Sequence, residues 1–163
     1  SHRPACRDCA TRIRDNRSVT DDAGNTVLTP YELFGGAPFF ESLVRAFYVR
    51  VADDPLLRPM YPPGDLAPAE RRLNLFLQQY WGGPGTYSEE RGHPALRMRH
   101  MPFPIDTAAR DRWLALMREA LSEQDMPAEA ESVLWQYLLG AAFAMQNIPD
   151  AIPGERVIDV TEI

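Results

Sequence analysis

The chain has 163 residues, of which 45% are apolar and 25% charged, and its formal net charge is −6. This length supports one domain with a substantial core, and the composition excludes a fibrous or fully disordered protein. The negative charge argues against a nucleic-acid surface, because phosphate binding needs a concentrated basic face. No apolar run approaches the roughly 20 residues that span a bilayer, and no export signal is visible. We therefore expect a cytoplasmic protein without a membrane partner.

The beginning of the chain predicts an N-terminal extension over residues 1–30, in part flexible. It is polar, lacks apolar periodicity, and has turn signals at Asp21-Asp22 and Gly24-Asn25. Cys6 and Cys9 form a single C-x-x-C pair. A redox motif would open a helix after a strand, and a zinc site would need a second pair, so we interpret these cysteines as an incidental reduced pair.

Apolar residues then recur at helical spacing. The first long helix is predicted to follow Pro38 and to end before Asp53, and the second runs from near Leu66 to Gly82-Gly83, where glycine can cap it. The proline-rich segment 55–63 between them leaves room for a single helical turn.

The second half of the predicted domain begins with a loop over residues 85–95. Residues 96–100 allow about one helical turn, because a residue that precedes a proline avoids the α region. Two further helices are predicted over about 107–122 and from 128 onward. Four substantial helices make an all-α domain over residues 31–149, followed by a C-terminal tail over 150–163, in which residues 157–160 alternate like an edge strand.

His100 is the main candidate for a functional residue. It occupies the last position where a helix can continue before Pro102. Three interpretations are open: a core histidine bonded to the backbone, a catalytic base, or a metal ligand. A catalytic base lacks a nucleophile signature here, and zinc lacks its ligand spacing. One imidazole can nevertheless hold heme iron, because the porphyrin supplies the other four nitrogens.

The neighbours of His100 are compatible with a heme slot. Met98, Met101, Phe103 and Ile105 are apolar, and arginines such as Arg99 could meet propionates. Each of these residues taken singly is equally compatible with an ordinary core or a solvated surface.

Several segments in order resemble the group II truncated hemoglobins. These segments are 47–48, 56–61, 70–84, 87–88, 91–94, 96–100 and 111–113. The resemblance covers roughly residues 31–149. It implies a truncated globin-like two-over-two helical sandwich, with N-terminal and C-terminal extensions, that encloses heme b (iron protoporphyrin IX).

The resemblance also implies roles for individual residues. His100 matches the proximal iron ligand. The distal side, where a gaseous ligand binds, is matched by Tyr48, Tyr61, Trp113, Leu73 and Ala69. Further heme contacts are expected from Arg72, Arg99, Phe76, Leu77, Tyr87, Met98, Ile105 and Met117. The family often has a polar or basic residue where this chain has Pro104, so one contact at the heme rim is expected to be missing.

The leading functional expectation is reversible binding of dioxygen and of other diatomic ligands such as CO and NO, in the manner of an oxygen-binding or oxygen-transport globin. NO detoxification or peroxidase-like chemistry with peroxide is a further expectation, served by an unidentified reductase, and a homodimer is one expected assembly. Two alternatives stay open: a heme-based gas or redox sensor that uses the N-terminal extension, and a heme-free helical bundle in which His100 is only a core residue.

Overall fold

A computed structural model describes residues 19–151 of the chain. Within that range the elements are the strands β1 Val19–Thr20 and β2 Thr26–Val27 and the helices α1 Pro30–Phe34, α2 Gly36–Ala52, α3 Ala67–Tyr80, α4 Thr86–Arg91, α5 Leu96–His100, α6 Thr107–Ser122 and α7 Ala128–Met145, with a 3-10 turn at Arg58–Met60. The predicted all-α fold is confirmed. None of the helices in this range has the length and hydrophobicity needed to cross a bilayer.

Four long helices form the sandwich. Helix α2 packs against both α3 and α6, and α6 packs against α7, so that the pair α2 and α3 lies over the pair α6 and α7. The apolar stripe predicted on the first helix is buried at the centre. The largest fully buried side chains are Phe40, Phe47, Leu43, Leu77, Met117, Leu121, Leu134, Leu138, Val44 and Val51.

The prediction of a loop over 85–95 is wrong, because α4 occupies its first half. This helix is too short to show periodicity, and tertiary contacts hold it in place. The Gln79 side chain of α3 accepts a hydrogen bond from the Ser88 backbone N–H at 2.9 Å and donates one to the Ser88 hydroxyl at 2.7 Å. Tyr87 is buried beside them.

The extension predicted over 1–30 contains more structure than expected in its described part. The predicted turn at 21–25 joins β1 to β2, and the Asp21 carboxylate accepts N–H bonds from Ala23 and Asn25. Helix α1 was not expected, although Thr29 and Glu32 form a capping box, which is a sequence signal for a helix start. Cys6, Cys9 and the tail at 157–160 lie outside the described residues.

Helix α1 is seated on the C-terminal end of α3. The Tyr31 backbone N–H donates to the Trp81 carbonyl at 2.9 Å. Gly82 adopts a φ of 98°, which is accessible to glycine without strain. A Cβ on Gly83 would lie 2.7 Å from the Tyr31 ring and 2.8 Å from the Gln78 carbonyl oxygen. The approach of the two helices therefore requires glycine at position 83.

We expect Gly83→Ala to lower the free energy of unfolding by about 1–3 kcal/mol, because neither the ring nor the backbone carbonyl can give way cheaply. Gly140→Ala is the matched control, since Gly140 lies in α7 with open space around its Cα. It should raise stability by about 0.5–1 kcal/mol through the lower entropy of the unfolded chain. Urea unfolding followed by circular dichroism measures both free energies of unfolding. Equal effects of the two substitutions would contradict the close contact between Gly83 and Tyr31.

The turn after α2 is organised by the carboxylate of Asp54, which is 2% exposed. It accepts hydrogen bonds from the backbone N–H groups of Leu56 at 3.0 Å and Leu57 at 2.9 Å, and it pairs with the Arg112 guanidinium of α6. Burial by itself would raise the pKa of Asp54, but the two N–H groups and the guanidinium together lower it below the ordinary 3.8. The carboxylate is thus ionised at neutral pH and joins the turn to α6.

Asp54→Asn should lower the free energy of unfolding by about 1–3 kcal/mol at neutral pH, because it removes a buried, hydrogen-bonded charge. The exposed neighbour Asp53 supplies the control, and Asp53→Asn should change stability by less than about 0.5 kcal/mol. A lowered pKa in the folded state stabilises the protein above the unfolded pKa. The stability difference between wild type and Asp54→Asn should therefore be constant above about pH 4 and shrink as pH falls through the lowered pKa. A difference that grows on acidification would contradict this assignment.

Candidate functional site

A cavity of about 420 Å³ lies between the two helix pairs. It is lined mainly by apolar side chains from all the helices except α1, together with the 3-10 turn and the segment 101–105. The predicted site residues that line it are Tyr48, Tyr61, Ala69, Arg72, Leu73, Phe76, Leu77, Tyr87, Arg99, His100, Ile105 and Trp113. The fold therefore brings together residues that are as far apart in sequence as Tyr48 and Trp113.

Two predicted site residues do not line the cavity. Met98 is 75% exposed, because a residue two positions from His100 on a helix points to nearly the opposite side. Met117 lies one turn beyond Trp113 on α6 and is fully buried in the core. Met101, expected beside the histidine, is the C-terminal cap of α5 and is 65% exposed.

The imidazole of His100 is oriented by its own helix. Its Nδ1 lies 2.6 Å from the Leu96 carbonyl oxygen, four residues earlier. A carbonyl oxygen can only accept a hydrogen bond, so Nδ1 carries a proton, and in the neutral imidazole Nε2 then keeps its lone pair. Since His100 lines the cavity, the ring presents a nitrogen that is ready to ligate a metal.

The start of α5 is held by Arg99. Its guanidinium donates to the backbone carbonyls of Pro94 at 2.7 Å, Arg91 at 2.8 Å and His93 at 3.2 Å. These bonds stabilise a strained entry, because Ala95 adopts a φ of 41°, which is uncommon for any residue except glycine. Arg99 therefore clamps the loop that carries the histidine as well as lining the cavity.

The other end of α5 is tied to α7 by Asn147. Its amide nitrogen donates to the carbonyls of His100 at 3.1 Å and Phe103 at 2.7 Å, and its amide oxygen accepts the N–H of Ile105 at 2.9 Å. Sequence reasoning missed this residue. A single asparagine in a short segment gives no pattern from which such a role could be found.

Tyr48 and Tyr61 both line the cavity, with ring centroids 5.7 Å apart. Burial raises the pKa of Tyr48 well above its ordinary value of 10, and the neighbouring Tyr61 adds to the rise. Burial also raises the pKa of Tyr61, and a side-chain hydrogen bond with Tyr48 partly offsets that rise. Both phenols therefore stay protonated at neutral pH. Because a hydrogen bond raises the pKa of its donor and lowers that of its acceptor, Tyr48 donates to Tyr61, and the Tyr61 hydroxyl keeps its own proton for the cavity. The indole N–H of Trp113, which also lines the cavity, is a second donor.

Guanidinium groups supply the positive charge of the site. Arg72 and Arg99 were predicted, whereas Arg91 and Arg110 line the cavity without having been predicted. The Arg110 guanidinium lies 3.9 Å above the Phe143 ring and donates to Gln146 at 2.6 Å. Carboxylates of a bound group would face these guanidinium groups, which stay positively charged at every physiological pH.

Helix α7 supplies the largest group of lining residues that sequence reasoning did not assign to the site. They are Tyr137, Leu138, Ala141, Ala142 and Met145. The available signal was the run Gly140, Ala141, Ala142, since small residues within an otherwise bulky helix leave room beside it.

The lining residues fit a heme. The cavity is predominantly apolar, as a macrocycle requires, and guanidinium groups are available for its propionates. One imidazole nitrogen is free for the iron. Over residues 19–151 no group of three or more His, Cys, Asp or Glu side chains could hold a bare metal ion, so His100 has no partners for such a site.

Comparison with known proteins agrees with this geometry. The family model for bacterial-like globins matches residues 29–147. The group 2 truncated hemoglobin YjbI of Bacillus subtilis (strain 168) is 41% identical over 128 residues, which is 78% of this chain and 96% of that protein.

Solved structures agree as well. The thermostable hemoglobin of the actinobacterium Thermobifida fusca is 58% identical and superposes with a TM-score of 0.74, covering 76% of this chain and 100% of that one. The truncated oxygen-avid haemoglobin of Bacillus subtilis is 43% identical, with a TM-score of 0.69 and coverage of 73% and 99%. The chain therefore belongs to the bacterial-like globin family as a group II truncated hemoglobin, with heme as its cofactor.

Proposed function

We propose that this protein binds dioxygen reversibly at a heme whose iron is ligated by His100 Nε2. The observation that carries the proposal is the Nδ1–H bond from His100 to the Leu96 carbonyl, which leaves Nε2 unprotonated on the cavity wall. The oxygen-avid relative from Bacillus subtilis supports the choice of ligand.

Heme iron supplies reversible ligation of diatomic molecules and shifts negative charge onto dioxygen more than onto carbon monoxide. The protein's part is to stabilise that charge. Tyr61 and Trp113 offer neutral donors to the ligand, and Tyr48 supports Tyr61 by donating to its hydroxyl. Each bond to the ligand contributes about 1–3 kcal/mol. This favours slow release of dioxygen and selectivity over carbon monoxide.

Ala69 and Leu73 line the same cavity. Neither side chain can donate a hydrogen bond or move a proton, so we assign stabilisation of the ligand to the aromatic donors. Peroxidase-like turnover would gain from a second histidine that shuttles protons, and among the described residues that line the cavity His100 is the only histidine. We therefore place dioxygen binding before NO or peroxide chemistry. The predicted reductase, homodimer, cytoplasmic location and sensor role of the extension stay predictions.

His100→Ala tests the proximal ligand. We expect this variant to lose the wild-type Soret maximum and its shift with carbon monoxide, because no imidazole remains to ligate the iron. His93→Ala is the control: His93 is exposed and does not line the cavity, so both spectral features should persist. An unchanged Soret band and an unchanged carbon monoxide shift in His100→Ala would disprove the assignment.

Trp113→Phe tests the distal donors, because it keeps an aromatic ring while removing the N–H. Dioxygen release, measured by stopped flow, should accelerate by roughly ten- to a hundredfold, the equivalent of one lost hydrogen bond of about 1–3 kcal/mol. Release of carbon monoxide should change much less. Trp135→Phe removes an indole N–H outside the cavity and should leave both rates near wild type. Equal acceleration of both gases by Trp113→Phe would indicate a steric effect instead.

A further inference from the structure

Two tyrosines connect the cavity to the protein surface. Tyr137 of α7 lines the cavity, and Tyr80 at the end of α3 stacks on it with ring centroids 4.0 Å apart and an interplanar angle of 24°. Tyr80 is 52% exposed. It is the most exposed of the six tyrosines of the chain, all of which lie in the described range.

The two phenols of this stack have different access to a proton acceptor. Burial raises the pKa of Tyr137, the nearby Tyr80 adds to the rise, and within residues 19–151 no hydrogen bond contributes to that pKa. An oxidised phenol is a strong acid and becomes a stable neutral radical only when its proton can leave. Tyr80 is 52% exposed and can give its proton to water more readily than the partly buried Tyr137. When one electron is removed from the stack, the resulting radical should therefore localise on Tyr80.

Two aromatic residues near the stack offer no equivalent route to solvent. Tyr87 also lines the cavity, but it is only 4% exposed. Trp81 lies 5.4 Å from Tyr137, and its indole N–H is buried without a hydrogen-bond partner in the described structure, so it cannot release a proton either.

We propose that Tyr137 and Tyr80 form a one-electron route between the heme cavity and the surface, and that Tyr80 is the residue oxidised when a hydroperoxide reacts at the heme. The proposal rests on the heme that the family carries and not on dioxygen binding.

The electrons balance as follows in the presence of hydrogen peroxide, which is the oxidant. Peroxide accepts two electrons and two protons, its O–O bond breaks, and two water molecules form. Tyr80 of the same molecule gives up one of these electrons through Tyr137, and Tyr80 of a second molecule gives up the other. Each of the two phenols releases its proton to solvent. Two Tyr80 radicals on separate molecules then join through a ring carbon–carbon bond, so that two tyrosines and one peroxide yield one dityrosine and two waters.

The test uses the ferric, heme-loaded protein mixed with hydrogen peroxide. Freeze-quench electron paramagnetic resonance should detect a tyrosyl radical, dityrosine fluorescence should appear with a covalent dimer, and peptide mass spectrometry should find the cross-link at Tyr80. Tyr80→Phe keeps the stacked ring and should lose the dimer. Tyr137→Phe should lower its yield, because phenylalanine is much harder to oxidise.

Tyr31→Phe is the matched control, since Tyr31 is half-buried outside the cavity and its ring stacks on Phe40. This variant should form the dimer as the wild type does. The Soret band reports in every sample whether peroxide has reacted at the heme. Cross-linking in Tyr80→Phe at the wild-type yield, an unaffected yield in Tyr137→Phe, or no Tyr80 cross-link in wild type would each overturn the route. None of these results bears on dioxygen binding, which the spectra and release rates test separately.

Discussion

The site depends on one hydrogen bond inside a five-residue helix, from His100 Nδ1 to the Leu96 carbonyl. It fixes which nitrogen carries the proton and which way the ring faces, and both are properties that an isolated imidazole lacks. The surrounding chain is arranged to keep this short helix in place. Arg99 secures its entry, and Met101 ends it because Pro102 has no N–H to continue the ladder.

Two groups of cavity-lining residues are held in place by different interactions. Around His100, side chains bond backbone carbonyls, so hydrogen bonding sets the geometry. Tyr48, Tyr61 and Trp113 lie on α2, on the segment after the 3-10 turn and on α6, and aromatic packing sets their geometry. Asp54 joins the turn after α2 to α6, since its carboxylate bonds Leu57 and Arg112, the residue that precedes Trp113.

How much of the site the sequence predicts depends on how far apart in sequence the interacting residues lie. Helices such as α2 have apolar stripes, so their positions and their inward residues are predictable. The motifs around His100 and the aromatic donors were sufficient to select the family. The family resemblance led us to expect Met98 and Met117 at the cavity. Met98 faces away because it lies two positions from His100 on a one-turn helix, and Met117 is enclosed by the core one turn beyond Trp113. Arg110 and Asn147 depend on contacts across 36 to 47 positions, and no local pattern encodes them.

The Asn147 amide has a mechanical consequence. Asn147 lies two residues beyond the end of α7. Its side chain bonds the His100 carbonyl and both ends of the segment 103–105, so the end of α5 is attached to the chain that leaves α7. A small displacement of the last turn of α7 would therefore reach the His100 side of the cavity without crossing the core.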